Sequence, residues 1–192
     1  VYLNKGASIA PQQIIDTVGL PCFVKPNNAG SSFGISKVHT INEFLPALEK
    51  AYKEDSEILI ESFLEGTEVS VGVIEYKGEV KVLPITEIVS ENDFFDYEAK
   101  YEGKSKEITP ARISKQEKER VEEVAVKIYK HLNMSGFSRS EFIFVKGEPH
   151  FLEMNTVPGL TEGSILPQQA AAQGIPLADL FENAIETALH KP

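Results

Sequence analysis

The sequence has few of the features that mark several large classes of protein. Cys22 is the single cysteine among 192 residues, so no disulfide can form within the chain. No apolar run approaches the roughly 18 residues that a membrane-spanning helix needs. The net charge of -10 disfavours nucleic acid and anionic membranes as partners. We therefore expect a cytoplasmic protein that binds neither nucleic acid nor membrane.

Common catalytic patterns are also missing. The chain contains no Walker A sequence and no G-x-G-x-x-G, and neither Ser31 nor Ser164 has the neighbouring His/Asp order that would suggest a G-x-S-x-G hydrolase elbow. Its four histidines are scattered without the spacing of metal ligands: His39, His131, His150 and His190. Catalysis by a serine nucleophile is therefore a poor prediction.

The composition that is present is ordinary for a globular protein, with 42% apolar and 25% charged residues. The length suffices for one domain or for two small lobes with a hydrophobic core. Because the chain begins at Val1 rather than methionine, we expect it to be a piece of a longer protein.

The most informative stretch is a predicted hairpin that carries polar side chains on one face. Arg139 and Glu141 are two residues apart and share a face, as do Glu153 and Asn155. A three-residue turn at 146–148 would place Glu141 opposite Glu153. Arg139 would then lie opposite Asn155. A two-residue turn would separate the carboxylates onto opposite faces, so we expect an odd-numbered turn or a compensating β-bulge.

This set of groups suits a metal and an anion. Two carboxylates and an amide oxygen are ligands that Mg²⁺ accepts, and an arginine suits a phosphate or an acyl phosphate. The alternative is a solvated hairpin face with a charge pair. The loop 156–161, with the backbone amide of Gly159, favours the functional interpretation.

Two other segments have the composition of a nucleotide site. Residues 27–34 form a Gly/Ser loop after a strand that ends near Lys25, and they could cover a polyphosphate. Residues 61–68 are an acidic linker whose backbone could pair with an adenine edge. An ordinary surface turn and an acidic turn are the respective alternatives.

Local signals also predict regular elements. Capping patterns indicate helices that begin at Thr40, Ser114 and Ser164, and a last helix begins at Pro176. Lys77–Gly78 is predicted to form a hairpin turn, and residues 80–89 are predicted to form one strand.

In combination, these motifs resemble the D-alanine–D-alanine ligases. The resemblance follows the family's order over nearly all 192 residues and rests on six stretches. They are KP at 25–26, AGSSFGISKV at 29–38, FDYEAKY at 95–101, RSE at 139–141, LEMNT at 152–156 and PGLT at 158–161. It implies the α+β ATP-grasp fold, in which two lobes with antiparallel sheets flanked by helices hold ATP between them. Residues 1–66 would be part of the central lobe with its flap, and residues 67–192 the C-terminal lobe with the metal and substrate site.

The resemblance further implies a role for individual residues. The ATP contacts would be Lys25, Ser32, Glu61, Ser62, Phe63, Leu64, Glu68 and Lys100. The ligands of two Mg²⁺ ions, or of Mn²⁺ in their place, would be Glu141, Glu153 and Asn155. The catalytic groups would be Arg139 and the Gly159 amide at the oxyanion, with Ser31 in the flap and Tyr101 at the first D-alanine site. Gly159, Ser164 and Ile165 would contact substrate.

The implied reaction joins two D-alanines for peptidoglycan synthesis. ATP would phosphorylate the first carboxylate, and the amine of the second D-alanine would attack the acyl phosphate. Tyr101 favours an amino acid over D-lactate as acceptor, so a D-alanine–D-lactate ligase is an alternative. Another ATP-grasp carboxylate–amine ligase and a non-catalytic nucleotide-binding module are further alternatives. The intact protein is expected to be a homodimer.

Three departures from the family pattern affect these expectations. Glu141 stands where many members have aspartate, and Phe95 stands where some have tyrosine. The N-terminal domain, which would supply a glutamate for the first D-alanine and an ATP lysine, is not in this sequence. We therefore expect the chain alone to be inactive or nearly so.

Overall fold

The computed structural model describes residues 1–7, 10–29, 32–90 and 105–189. Within them, ten strands and five helices divide into two compact units. One unit is built on Val1–Leu64, and the other on Glu65–Val89 and Ser105–Pro192. Antiparallel sheets and flanking helices confirm the predicted α+β class.

The first unit is a four-stranded sheet with two helices. Its strands are β1 (Tyr2–Asn4), β2 (Cys22–Pro26), β3 (Ser36–Val38) and β4 (Glu57–Ser62), and its helices are α1 (Pro11–Val18) and α2 (Ile41–Ala51). The strand order is β1-β4-β2-β3, with antiparallel neighbours. Alternation along β2 buries Cys22 and Val24 against Phe44 and Leu48 of α2, which leaves Lys25 on the opposite face.

The second unit carries a six-stranded sheet and three helices. Its strands are β5 (Thr67–Tyr76), β6 (Glu79–Val82), β7 (Thr86–Ser90), β8 (Ser105–Ile108), β9 (Phe137–Val145) and β10 (Glu148–Asn155). Its helices are α3 (Lys115–His131), α4 (Ile165–Ala172) and α5 (Leu177–Leu189). The main strand order is β10-β9-β5-β7-β8, and β6 pairs with β5.

Helices cover both faces of this second sheet. On one face, Val71 of β5 and Phe142 of β9 pack with Val121 and Tyr129 of α3. On the other face, Ile74 of β5 packs with residues of α4 and α5. The period-two alternation of a strand therefore divides β5 and β9 between two different environments.

Two local predictions need correction. Residues 80–89 form two strands rather than one, because Pro84 has no N–H to donate to a ladder and lies between β6 and β7. Thr40 and Ser164 are the N-caps of α2 and α4, but neither side chain makes a capping bond to the helix backbone. The capping box at Ser114 is confirmed, since its hydroxyl accepts from the Glu117 N–H and the Glu117 carboxylate accepts from the Ser114 N–H.

None of the helices in the described part of the chain combines the length and the hydropathy that crossing a membrane requires.

Candidate functional site

The hairpin turn between β9 and β10 has two residues rather than three, so the polar residues can share a face only through the second expected arrangement, a compensating β-bulge. Lys146 and Gly147 both have positive φ, at 54° and 80°, as a type I′ turn requires. Lys77 and Gly78 form the same dipeptide in the turn between β5 and β6, with φ of 54° and 79°. The repeated Lys-Gly pair was the sequence signal that could have predicted the shorter turn.

A β-bulge restores the predicted pairing of the polar residues. The register shifts between Phe151 and Glu153, so that Leu152 is an extra residue on β10. After this bulge, Glu153 pairs with Glu141 and Asn155 pairs with Arg139, as predicted. The two carboxylates therefore share one face of the hairpin despite the even-numbered turn.

Strand β5 extends this face on the other side of β9. Ser70 pairs with Glu141, and Gly72 pairs with Arg139. Two rows of side chains thus cross three strands: Ser70, Glu141 and Glu153 in one row, and Gly72, Arg139 and Asn155 in the next.

Glu141 is the buried centre of this face. Its Oε1 atom accepts hydrogen bonds from Arg139 Nε at 2.8 Å and from Ser70 Oγ at 3.2 Å. Its Oε2 atom is also buried, but it has no hydrogen-bond partner among the described residues. Burial raises the pKa of Glu141, and the neighbouring Arg139 opposes that shift. A buried carboxylate oxygen without a partner is costly unless a cation or a donor binds it.

The surrounding donors fit Mg²⁺. Glu153 lies directly across from Glu141 and is exposed, while Asn155 is half-buried. Asn155 Oδ1 accepts from the Val157 N–H at 3.2 Å and retains a second lone pair. Within the described residues, no three His, Cys, Asp or Glu side chains form a metal cluster. A cation here would therefore be held by two carboxylates, an amide oxygen and oxygens of a ligand, the kind of site that Mg²⁺ uses.

Arg139 keeps part of its guanidinium available. Its Nε atom is bound to Glu141, and its side chain is 16% exposed. No hydrogen bond joins either Nη atom to another described residue. Two donors of a planar fork can therefore still bind an anion.

The loop after β10 brings Gly159 against Ser164. A Cβ at position 159 would lie 2.7 Å from Ser164 Oγ, so the close approach requires glycine. Ser164 Oγ also lies 2.9 Å from Thr161 Oγ1, and the Ser164 N–H donates to the Thr161 carbonyl at 2.8 Å. The loop is thereby held at the start of α4, whose N-terminal end favours anions.

Ile165 contributes to this region only through its backbone. Its side chain is buried, whereas its N–H is at the first turn of α4, where helix N–H groups have no intrahelical acceptor.

In the first unit, Lys25 and Glu61 form an ion pair. Their Nζ and Oε2 atoms are 2.6 Å apart, and the side chains are 15% and 37% exposed. The Phe63 N–H donates to the Pro21 carbonyl at 3.2 Å, so the fold already uses that donor of the predicted adenine hinge. The Ser62 hydroxyl donates to the Val18 carbonyl.

The Phe63 ring is held between two neighbours. Lys37 Nζ lies 4.2 Å from the ring centroid, a cation–π distance, and the Phe23 centroid lies 6.2 Å away.

The remaining predicted residues are partly outside the described structure. Ser31, Lys100 and Tyr101 lie outside the described residues. Ser32 is described and has a positive φ of 60°. Glu68 lies on β5, on the same face as Ser70, and is half-buried.

Three residues that the sequence did not single out belong to this region. Buried Gln169 of α4 donates from Nε2 to the Ser70 carbonyl at 2.9 Å and to Thr86 Oγ1 at 3.0 Å. Desolvation raises the pKa of Glu107 of β8, and the neighbouring Arg139 opposes that shift. Ser70 is the third, through its bond to Glu141. No local pattern predicts these contacts, because each joins distant parts of the chain.

Comparison with known proteins agrees with this geometry. Residues 3–186 match the family model described as "D-ala D-ala ligase C-terminus". A D-alanine–D-alanine ligase from Flavobacterium johnsoniae is 69% identical over 188 residues, which cover 98% of this chain and 58% of that relative.

Solved structures of the same kind share the fold. The crystal structure of a D-alanine–D-alanine ligase from Bacillus anthracis complexed with ATP gives a TM-score of 0.83 at 31% identity, over 98% of this chain and 59% of that one. The VanG D-Ala:D-Ser ligase from Enterococcus faecalis gives a TM-score of 0.83 at 35% identity, over 97% and 55%. The chain therefore spans well under two thirds of the length of these relatives.

Proposed function

Because the chain belongs to the D-alanine–D-alanine ligase family and has its ATP-grasp fold, we propose that the protein containing it joins two D-alanines in an ATP-dependent reaction. The product would be D-alanyl-D-alanine for peptidoglycan synthesis, formed through an acyl phosphate. The observation that carries the proposal is the buried Oε2 of Glu141, which has no hydrogen-bond partner in the described part of the chain and lies in one row with the Glu153 carboxylate.

The second unit would supply the metal and acyl-transfer groups. Glu141, Glu153 and Asn155 would hold Mg²⁺, or Mn²⁺ in its place. The metal would neutralise the charge of the nucleotide phosphates. The free Nη donors of Arg139 and the N–H of Gly159 would stabilise the oxyanion that forms when the amine attacks.

The same unit would bind the second D-alanine near the start of α4. Its carboxylate would accept from the Ser164 hydroxyl and from the N–H of Ile165, at the positive end of the helix.

The first unit would bind the nucleotide. Lys25 would contact the phosphates, and Glu61 with the backbone of 62–64 would bind the adenine edge. Since the Phe63 N–H already donates to Pro21, we expect the N–H of Leu64 to be the adenine donor. Glu68, on the second unit, would accept from the ribose.

The roles of Ser31, Lys100 and Tyr101 in flap closure and at the first D-alanine site remain proposals that follow from the motif match. The functional division would fall near residue 66, with a nucleotide lobe at 1–66 and a metal and substrate lobe at 67–192. We also propose that the intact protein is a homodimer in the cytoplasm, which sedimentation and fractionation would test.

Phosphate release by the full-length protein tests this function. With Mg-ATP, we expect phosphate release that depends on D-alanine and disappears in Glu153→Gln. The exposed Glu119→Gln on α3 is the matched control and should keep full activity. ATP binding without turnover on any amino or hydroxy acid would contradict the proposal and favour a non-catalytic nucleotide-binding module.

The second substrate needs its own comparison, because one solved relative is named a D-Ala:D-Ser ligase. We expect D-alanine to be used better than D-serine and D-lactate as acceptor, when each is offered together with D-alanine. A preference for D-lactate would identify a depsipeptide ligase. Turnover with other carboxylates alone would indicate a different ATP-grasp ligase.

The 192-residue chain by itself should show no D-alanine-dependent phosphate release above background. It spans 58% of the length of its curated relatives, and groups for the first D-alanine are expected in the remainder. Measurable turnover by the isolated chain would contradict this.

A further inference from the structure

Glu141 is held by donors from two different strands. Arg139, its neighbour on β9, donates to Oε1 from the same strand, and Ser70 donates to the same oxygen from β5. Both contacts bind Oε1, and Oε2 is left without a described partner. The carboxylate therefore has one anchored oxygen and one free oxygen.

We propose that Ser70 is a positioning residue, which orients the free oxygen of Glu141 toward the divalent cation. This inference rests on the proposed function, because it assigns that oxygen to a metal. A carboxylate that has only the Arg139 bond can rotate and exchange its two oxygens. A second donor on the neighbouring strand fixes the carboxylate plane, and partners of this kind tune metal sites in many proteins.

The backbone around Ser70 is itself held in place. Gln169 Nε2 donates to the Ser70 carbonyl and to Thr86 Oγ1, and Thr86 Oγ1 lies 2.6 Å from Thr109 Oγ1. Gly72 permits this approach, because a Cβ there would overlap Gln169 Oε1 and lie 2.7 Å from Leu166 Cδ1. The helix α4 thus fixes the strand that carries Ser70.

Other buried serines of the sheet show that this contact is not a general consequence of burial. Ser138 and Ser140 are both fully buried on β9, and neither hydroxyl has a partner among the described residues. Ser140 directly precedes Glu141 but lies on the opposite face of the strand. Ser70 differs from them because its hydroxyl donates a hydrogen bond to the carboxylate of Glu141.

The experiment measures metal binding rather than activity alone. The full-length protein is titrated with Mn²⁺ in the presence of ADP, and electron paramagnetic resonance measures the unbound metal. Subtracting a titration of ADP alone gives the Kd of the protein for the metal. We expect Ser70→Ala to raise this Kd by about 10-fold. Losses of this size are typical when a group that hydrogen-bonds to a metal ligand is removed. The Mg²⁺ concentration for half-maximal phosphate release should rise in parallel.

Two variants serve as controls. Ser140→Ala removes an equally buried hydroxyl one residue from Glu141 and should leave the Kd unchanged. Ser70→Thr keeps the hydroxyl and should restore most of the affinity. Each Kd is measured at least 10 °C below the melting temperature of its variant, which is determined beforehand.

The outcomes separate the two proposals. If wild type binds Mn²⁺ and Glu153→Gln abolishes binding, but Ser70→Ala binds like wild type, the positioning role is wrong and the metal site stands. An equal loss in Ser140→Ala and Ser70→Ala would also contradict the positioning role, because it would reflect general damage to the strand. If Glu153→Gln binds Mn²⁺ as tightly as wild type, the metal site and the role of Ser70 are both wrong.

Discussion

Alternate residues of β9 face two environments that use polar groups in opposite ways. Toward α3, Ser138, Ser140 and Phe142 are buried in or beside an apolar cluster, and the two serine hydroxyls have no partner in the described structure. Toward the site, Arg139 Nε and Ser70 Oγ both donate hydrogen bonds to the carboxylate of Glu141.

The two faces differ in whether their buried polar side chains are hydrogen-bonded to one another. On the α3 face, small hydroxyls fit among apolar side chains without a hydrogen-bonding role, and packing dominates the energetics. On the site face, charged groups are aligned so that one carboxylate oxygen stays free. Substitutions on the first face should therefore change stability, and those on the second should change function.

Glu141→Gln should give the largest effect, and it should be on function. The amide keeps a similar shape but loses the anionic oxygen, so activity of the full-length protein should fall by at least about 100-fold. This loss exceeds the one expected when a residue that only hydrogen-bonds to a metal ligand is removed. The free energy of unfolding should fall by no more than about 3 kcal/mol, because the variant leaves the Arg139 charge without its partner but no longer buries a carboxylate charge. Steady-state kinetics and urea unfolding measure the two quantities. Full activity in this variant would place the essential carboxylate elsewhere.

Phe142→Ala should have the largest effect on stability. Its ring is fully buried on the α3 face, and such truncations destabilise by about 3–5 kcal/mol. Phe151→Ala is the matched control, because its ring contacts Phe142 edge-on at 5.6 Å but is 43% exposed. Urea unfolding should show less than half the loss for the control. Equal losses would mean that the edge of the sheet is as tightly packed as its centre.

Gly72→Ala should disturb the site face by overpacking. The added methyl would meet Gln169 and Leu166, and forced repacking of this kind destabilises by about 1–3 kcal/mol. Gly163→Ala adds the same methyl where no atom lies within 4 Å, and it should be tolerated. Thermal denaturation of both variants checks the difference. A neutral Gly72→Ala would show that α4 can shift without cost.

Ser140→Ala should have the smallest effect. It removes a buried hydroxyl without a partner, so the free energy of unfolding should stay the same or rise by up to about 1 kcal/mol. Denaturant titration against wild type measures this. A loss of more than about 1 kcal/mol would reveal a hydrogen bond of that hydroxyl and would weaken the contrast between the two faces.

Much of the local structure could be predicted from the sequence. The capping box at Ser114 and the Lys77–Gly78 turn are confirmed, and the facing of Glu141 and Glu153 is as predicted. Each depends on residues a few positions apart or on the period of a strand. Of the two expected ways to align the carboxylates, an odd-numbered turn or a β-bulge, the structure has the bulge, at Leu152.

The partners of Glu141 could not be predicted in this way. Ser70 lies 71 positions from Glu141, and Gln169 lies 99 positions from Ser70. No periodicity relates them, since their contact depends on which strands become neighbours and on where α4 packs.

The sequence by itself determined the capping box at Ser114, the Lys77–Gly78 turn, the alternation of each strand and the family resemblance, because these depend on backbone preferences and on motifs along the chain. Only the tertiary structure decided which oxygen of Glu141 is anchored and which is free. That choice depends on the pairing of β5 with β9 and on the approach of Gln169 over Gly72, contacts that form only when distant segments pack together.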